Sequence, residues 1–416
     1  MNIRSSIFKK DLIISSLSNI FLIITSLFQG ILISRILGPE GKGIFAFYMS
    51  LFSMIFCFTN FGVRQSTAYL ISKKKFNAER FIPVHLFLII LFSGITVLFL
   101  YLFSYLQGEY NISFLKYFLF ITPLQMYVTF TTSFALADKN INILNIVKVL
   151  TSFSLFFFLF LFYYFMKEQS YEYYFIAKTI SYTFVSIFIF YWIFFVKKFS
   201  LKKEYFSTII PFSFLAIKRG IPFSLSLLVY TLNFQIDVLI LNNLLDISRV
   251  GIYSVGVTFA ELIWNIPNIL GMILFSYSLS AKNEESFSEK LWDKHNKILL
   301  ILLPIMIIYA FSIFYLIPIL FGQEFDSSKF VSLILLPGTF AIVSFNILNA
   351  DLSARGKPQY GFYIFTFGLI LNIVLNLNLI PKYDIFGAAI SSTISYSVCS
   401  AIFIFFYKTL SIKSKK

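Results

Sequence analysis

The sequence predicts an all-α integral membrane protein with twelve transmembrane helices in two pseudo-symmetric six-helix lobes, and three observations carry that prediction. First, 58% of the 416 residues are hydrophobic, 20% aromatic and only 13% charged, far from the roughly 45–50% apolar and 25% charged composition of soluble domains. Second, apolar runs of about 20 residues, the length that crosses roughly 30 Å of hydrocarbon, follow one another with short breaks. Third, the second half repeats the first. Gly43-Ile44-Phe45 recurs as Gly251-Ile252-Tyr253 at a displacement of 208, and Thr179-Ile180-Ser181-Tyr182 as Thr393-Ile394-Ser395-Tyr396 at 214. A duplication inside a membrane-buried chain is a signature of carriers, whose two copies rock about a site between them. It divides the chain into lobes at 1–200 and 201–416.

The spans are expected at 12–37, 44–70, 81–105, 114–137, 142–166, 172–196, 220–243, 250–280, 296–320, 328–352, 359–380 and 385–407. Arg4, Lys9 and Lys10 precede the first run, which continues to about residue 37 without a small-residue cleavage site, so it reads as a retained span. With the N-terminus inside, 25 lysines and arginines fall on inner segments and seven on outer ends: Arg35, Lys42, Lys116, Lys167, Arg249, Lys329 and Lys382. The positive-inside rule then assigns both termini to the cytoplasm. An even number of spans per half makes the repeats parallel, with their pseudo-axis along the membrane normal. The formal charge of +15 is scattered in short clusters at segment ends, which argues for topology and against nucleic acid. Cys57 and Cys399 sit inside apolar runs without disulfide or metal spacing, and His85 and His295 stand alone. All four read as structural, and no cofactor or metal is expected.

Ionisable groups facing lipid cost at least about 2.5–3.5 kcal/mol each, so those within spans mark a bundle interior or a wet cavity. On span 2, Ser50, Ser53, Cys57, Asn60, Arg64 and Thr67 recur every three or four residues, and on span 8 Ser254, Thr258, Glu261, Asn265 and Asn268 do the same. Each set forms one stripe of a helix. The 208 shift superposes Ser50 on Thr258, Ser53 on Glu261 and Asn60 on Asn268. The two stripes are therefore expected to wall a cavity between the lobes, with helix packing inside each lobe as the alternative. Span 7 carries Tyr230, Asn233 and Asp237; a carboxylate there is a candidate proton or sodium site, against a structural ion pair or a residue near the outer interface. Lys178 on span 6 either serves a cavity or snorkels to water. Arg219, with Lys218, stands before span 7, either for an anionic head group or for topology. Arg35 superposes on Asn243 and is expected at an outer mouth. Gly361, Gly368, Asn372 and Asn376 make a small and polar face for close packing of span 11, and Pro123 and Pro337 interrupt matching spans.

Several strings carry a resemblance. Ser34-Arg35-Ile36-Leu37-Gly38-Pro39-Glu40-Gly41-Lys42-Gly43, then Asn60-Phe61-Gly62-Val63, resembles the opening of Wzx-like bacterial polysaccharide flippases. These belong to the superfamily of multidrug, oligosaccharidyl-lipid and polysaccharide exporters. Asp237 ahead of Val250-Gly251-Ile252-Tyr253-Ser254 is similar to that family too. So are Leu352-Ser353-Ala354-Arg355-Gly356-Lys357 and Tyr383-Asp384-Ile385-Phe386-Gly387-Ala388-Ala389, and the likeness covers almost the whole chain. What the resemblance implies is a MATE-like, V-shaped pair of lobes in the bacterial cytoplasmic membrane. It would move undecaprenyl-diphosphate-linked oligosaccharide to the outer leaflet by alternating access, for capsule or lipopolysaccharide. Implied partners are membrane lipids, a proton or sodium ion and other polysaccharide-assembly proteins. Family members usually line the lumen with cations, a demand Arg64 meets, whereas the position beside the helix 7 carboxylate, often cationic, is Val238 here.

A drug or metabolite antiporter of the same superfamily is the nearest rival, but only Asp237 and Glu261 offer the acidic groups that cationic drugs require. A membrane polysaccharide polymerase or glycosyltransferase needs a sizeable outer loop. The outer loops at 106–113, with Glu109, and 322–327, with Glu324 and Asp326, are short, so a transporter and not an enzyme is expected. No glycine-rich filter suggests a channel.

Overall fold

The computed structural model describes residues 2–73, 76–106, 112–165, 170–263, 278, 284–355, 357 and 359–411. Among the described residues twelve α-helices follow in order: α1 (Asn2–Thr59), α2 (Val63–Ser72), α3 (Phe81–Leu106), α4 (Ile112–Ala137), α5 (Ile141–Phe165), α6 (Glu172–Tyr191), α7 (Ile209–Leu244), α8 (Ile247–Leu262), α9 (Glu284–Phe321), α10 (Ser328–Ala354), α11 (Gln359–Tyr383) and α12 (Ile385–Ser411). Among the described residues there is no strand. Ten described segments are long and apolar enough to span a membrane, and the first of them, Ile13–Ser72, holds predicted spans 1 and 2 together. The eighth predicted span is described as α8, and most of its expected continuation to 280 lies outside the described residues.

Three boundaries depart from expectation. Spans 1 and 2 fuse into α1 through a single kink at Gly38 (φ 63°, ψ −174°), with Pro39 directly after it. A proline is compatible with the start of a resumed helix because its missing N–H has no partner to lose there. Span 2, expected to be continuous to residue 70, breaks at Phe61 (φ 47°) and Gly62 (φ 63°). Asn60 stabilises the break: its amide donates to Phe56 O at 3.0 Å and its Oδ1 accepts from Gly62 N–H at 2.8 Å. The single polar stripe from Ser50 to Thr67 is therefore corrected to two helices, divided between Asn60 and Arg64. Finally, α7 begins at Ile209 and not near 220, because the apolar residues 209–216 add turns ahead of Pro222. Lys218 and Arg219 consequently lie within α7 and not ahead of it. Pro123 and Pro337 sit inside α4 and α10, which run through them.

The chain forms two compact units, Met1–Leu32 with Leu51–Thr231, and Ile33–Ser50 with Leu232–Lys416. In the first, α4 packs on α2, α3 and α6, and α5 on α6. Its core is aromatic: Phe118 is fully buried against Phe52 (4.8 Å between centroids) and Phe175 (5.5 Å). His85 is enclosed by Phe81, Phe130 and Phe134, with Nε2 3.2 Å from the Thr67 hydroxyl, the structural role expected of it.

In the second unit α12 packs on α10 and α11, and α10 on α8 and α9. Small residues bring these helices close, as is usual where lipid removes the hydrophobic drive for association. Ser332 Oγ donates to Gly256 O (2.8 Å), Thr393 Oγ1 to Ile334 O (2.6 Å) and Ser395 Oγ to Gly368 O (2.7 Å). Asp351, fully buried on α10, accepts from Ser288 (2.6 Å), Tyr407 (2.7 Å) and Ser278, and pairs with Arg355 at 3.2 Å. That cluster joins α9, α10 and α12.

Candidate functional site

Arg64 stands in the first turn of α2, where the break at Asn60–Gly62 starts a new helix. It lines a cavity of about 390 Å³ whose walls all belong to the first unit. Gln29 from α1, Gln125, Thr129 and Thr132 from α4, Lys148, Thr151 and Ser152 from α5, and Tyr182 from α6 supply the other polar side chains. None of the described lining residues is Asp or Glu. Gln29 Nε2 donates to Ser152 O at 2.9 Å, which ties α1 to α5 beside the cavity. Arg64 Nε and Gln125 Oε1 are buried without a hydrogen-bond partner among the described residues. Lys148 is close enough to feel the Arg64 charge. Two cations repel strongly where water is scarce, and an anion accepting from both relieves that repulsion. The guanidinium fork suits a phosphate, and the surrounding hydroxyls and amides suit a hydroxyl-rich neighbour.

The second unit holds a different centre. Asp237 on α7 is 2% exposed. It accepts from Tyr253 Oη of α8 (2.6 Å), Ser392 Oγ of α12 (2.5 Å) and Asn376 Nδ2 of α11 (2.6 Å). Asn376 also donates to Asn372 Oδ1 (2.9 Å), and Asn372 donates to Ser392 Oγ (3.0 Å). Among the described residues no Lys or Arg pairs with Asp237, and Asn376 Oδ1 is buried without a partner. Four helices thus present a carboxylate with hydroxyl and amide oxygens around it, the donor set that suits a small hard cation or a proton. Val238, next in sequence, is buried.

The remaining predicted residues are dispersed. Glu261 is half-buried on α8 and feels the Asp237 charge, whereas Asn265 and Asn268 lie outside the described residues. Asn233 ties α7 to α11 by donating to Phe365 O at 2.9 Å. Asn60 uses both ends of its amide on the helix break and is not among the cavity residues. Arg35, in the second unit, caps the C-terminal end of α9 by donating from Nε to Leu320 O at 2.9 Å and from Nη2 to Ile319 O. Arg219 is exposed over the Tyr69 ring at 5.8 Å. Lys178 is buried over the rings of Phe52 (5.4 Å) and Tyr174 (5.8 Å), an arrangement worth about 2 kcal/mol when desolvated. Within the first unit, Asn60, Lys178 and Arg219 are not among the described residues lining the Arg64 cavity.

Sequence reasoning had missed Lys148, Gln29 and Gln125 beside Arg64, and Tyr253, Asn372, Asn376 and Ser392 around Asp237. Lys148 is one of the 25 lysines and arginines that the sequence assigns to inner segments, although it falls a turn and a half inside its span. The spacing of Gln125, Thr129 and Thr132 on span 4 was a usable stripe of the same kind as that on span 2.

Comparisons with known proteins accord with this geometry. The family described as "Polysaccharide biosynthesis protein" matches residues 8–277, and the family described as MatE matches residues 222–377. The chain is 25% identical over 397 residues to "Capsular polysaccharide biosynthesis protein CapF" of Staphylococcus aureus, covering 91% of this chain and 94% of that one. It is 29% identical over 176 residues to "Probable low-salt glycan biosynthesis flippase Agl15" of Haloferax volcanii, covering 39% of this chain and 35% of the relative. In fold it is similar to lipid II flippase MurJ in an inward closed conformation, with a TM-score of 0.75 and 18% identity over 95% of this chain and 87% of that one. An inward-facing multidrug resistance MATE family transporter gives 0.67 and 15% over 96% and 97%. A multi-pass helical membrane chain with this fold, matched by that family over most of its length, belongs to the polysaccharide biosynthesis protein family.

Proposed function

We propose that this protein is a flippase for lipid-linked oligosaccharide, carrying an undecaprenyl-diphosphate-linked repeat unit from the cytoplasmic to the outer leaflet of the bacterial inner membrane. The observation that carries the proposal is the cavity holding Arg64 and Lys148 with no acidic residue among its described lining residues. A diphosphate cannot cross hydrocarbon unaided, and two cations with hydroxyl and amide neighbours offer it charge-assisted hydrogen bonds. In this reading Arg64 and Lys148 take the diphosphate, while Gln29, Gln125, Thr129 and Tyr182 meet the proximal sugar. The polyprenyl tail stays in lipid. The halves 1–200 and 201–416 then act as the two moving lobes, with both termini cytoplasmic as the lysine and arginine distribution supports.

Asp237, with Glu261 nearby, is the proposed coupling site for a proton or sodium ion. The oxygen cluster around it supports this, and an antiporter of another solute is the reading that the same cluster and the MatE match favour second. The test is the leaflet distribution of labelled lipid-linked repeat unit in cells lacking the gene. Accumulation in the inner leaflet, reversed by the wild-type gene and not by Arg64→Ala, is expected. Normal outer-leaflet delivery without the gene overturns the proposal.

A further inference from the structure

Helix α1 carries the second predicted span as far as Thr59, and at each end of that stretch a glycine, Gly43 or Gly62, is pressed backbone to backbone against a segment from the other half of the sequence. Within the second unit, a Cβ on Gly43 would meet Ile247 O at 1.9 Å and one on Gly251 would meet Pro39 O at 1.9 Å. Gly43 and Gly251 are the repeat mates found in the sequence, so equivalent points of the two copies touch each other. Within the first unit, a Cβ on Gly62 would meet Gly220 O at 2.3 Å, and one on Gly220 would meet Phe61 O at 2.0 Å. Each junction also has a polar tie. Arg35 holds the end of α9 near the first (2.9 Å to Leu320 O), and Ser224 Oγ donates to Cys57 O at 2.9 Å in the second.

We propose that these glycine junctions are the two gates of the transport cycle: Gly43 with Gly251 closes the outer end, Gly62 with Gly220 closes the inner end, and each must part while the other holds. Three features fit a reversible contact. At both junctions the atoms nearest the glycines are backbone, so the glycine contact itself parts without a side chain having to be withdrawn. Each joins a first-half segment to a second-half segment, which is where two moving copies must separate. Each is tied by one or two hydrogen bonds to backbone oxygen, which water replaces when the junction parts. The proposal rests on the reading of the chain as an alternating carrier and not on the identity of its cargo.

The proposal predicts opposite effects from the same chemical change. Gly220→Ala inserts a methyl group against backbone that cannot rotate away, so it biases the inner end open; Gly251→Ala does the same to the outer end. Overpacking of this kind shifts the closed-to-open ratio roughly five- to 150-fold. The native Cys57, beside the inner junction, reports on it in a Cys399→Ala background, and Lys42→Cys, next to Gly43, reports on the outer end in a Cys57→Ala, Cys399→Ala background. With a membrane-impermeant maleimide on sided vesicles, Gly220→Ala is expected to raise Cys57 labelling from the inside and lower Lys42→Cys labelling from the outside. Gly251→Ala is expected to do the reverse.

A second measurement needs no glycine change. In protein carrying Lys42→Cys and Cys57 together, a bulky maleimide attached at Lys42→Cys from the outside is expected to suppress labelling of Cys57 from the inside by a similar factor. Labelling that moves in the same direction at both ends, or folded protein in which neither cysteine ever reacts, overturns the proposal. Because no substrate is added, opposed labelling in a protein that delivers no lipid-linked glycan keeps the gates and removes only the cargo.

Discussion

Asn376 donates to Asp237 at 2.6 Å while its own carbonyl oxygen stays buried and, among the described residues, unpartnered. Amide and carboxylate are therefore joined as one polar group, and an oxygen acceptor remains beside the charge. An unsatisfied buried carbonyl costs about 1–3 kcal/mol, and in the proposed coupling site this oxygen is a further acceptor for the shared cation or proton.

Asp237→Asn keeps the shape but removes the charge. The variant is expected to lose the dependence of transport on an imposed proton or sodium gradient and to retain folding within about 1–3 kcal/mol of the parent. Transport measured in liposomes with and without the gradient checks it, and an undiminished gradient response rejects Asp237 as the coupling group.

Arg64→Ala and Lys148→Ala are each expected to lower the transport rate by roughly ten- to 100-fold, the equivalent of one charge-assisted hydrogen bond. If both hold one anion, the double variant falls short of the product of the two effects. Arg64→Lys is expected to restore part of the rate, because it keeps the charge and loses the planar fork. A strictly multiplicative double variant argues that the two cations serve separate ligands.

Asp351→Ala leaves the Arg355 guanidinium without its carboxylate, and removing one member of a buried pair costs about 3–5 kcal/mol. Thermal unfolding in detergent is expected to show that loss. Tyr407→Phe deletes one hydrogen bond to the same carboxylate and is expected to cost about 1 kcal/mol. Equal losses in the two variants contradict a cluster centred on Asp351.

Asn60→Ala removes the Oδ1 that accepts from Gly62 N–H. A loss of about 1 kcal/mol is expected, in line with other backbone-capping side chains, and Asn60→Asp is expected to lose at least as much, because it keeps the acceptor but sets a buried carboxylate against Phe56 O where the amide donated. Melting temperatures of the three proteins decide it.

The helices were legible because hydrocarbon imposes one length on every span, and a run of about 20 apolar residues has few other meanings. The break at Asn60-Phe61-Gly62 was less so: Phe61 separates the Asn from the Gly, so the adjacent Asn-Gly pair that signals a turn is absent, and the apolar run on both sides masked the break. Arg64 stood out as an ionisable group inside a span, whereas Lys148 looked like one more positive charge at an inner end. The Asp237 centre joins α7, α8, α11 and α12, and a stripe read along one helix says nothing about which other helices converge on it. Asn372 and Asn376 were read as packing groups for that reason, although their face was identified.

The two units are interleaved along the chain: Ile33–Ser50 packs with residues after 232, and the segment up to Thr231 packs with the opening helices. No single cut through the polypeptide separates them. During synthesis the first hairpin must enter the bilayer and wait, its neighbours still untranslated, until more than half of the protein has left the ribosome. Half-molecules made separately are each missing a strip of their own interior, so they are expected to survive the membrane's quality-control proteases only when both are produced in the same cell.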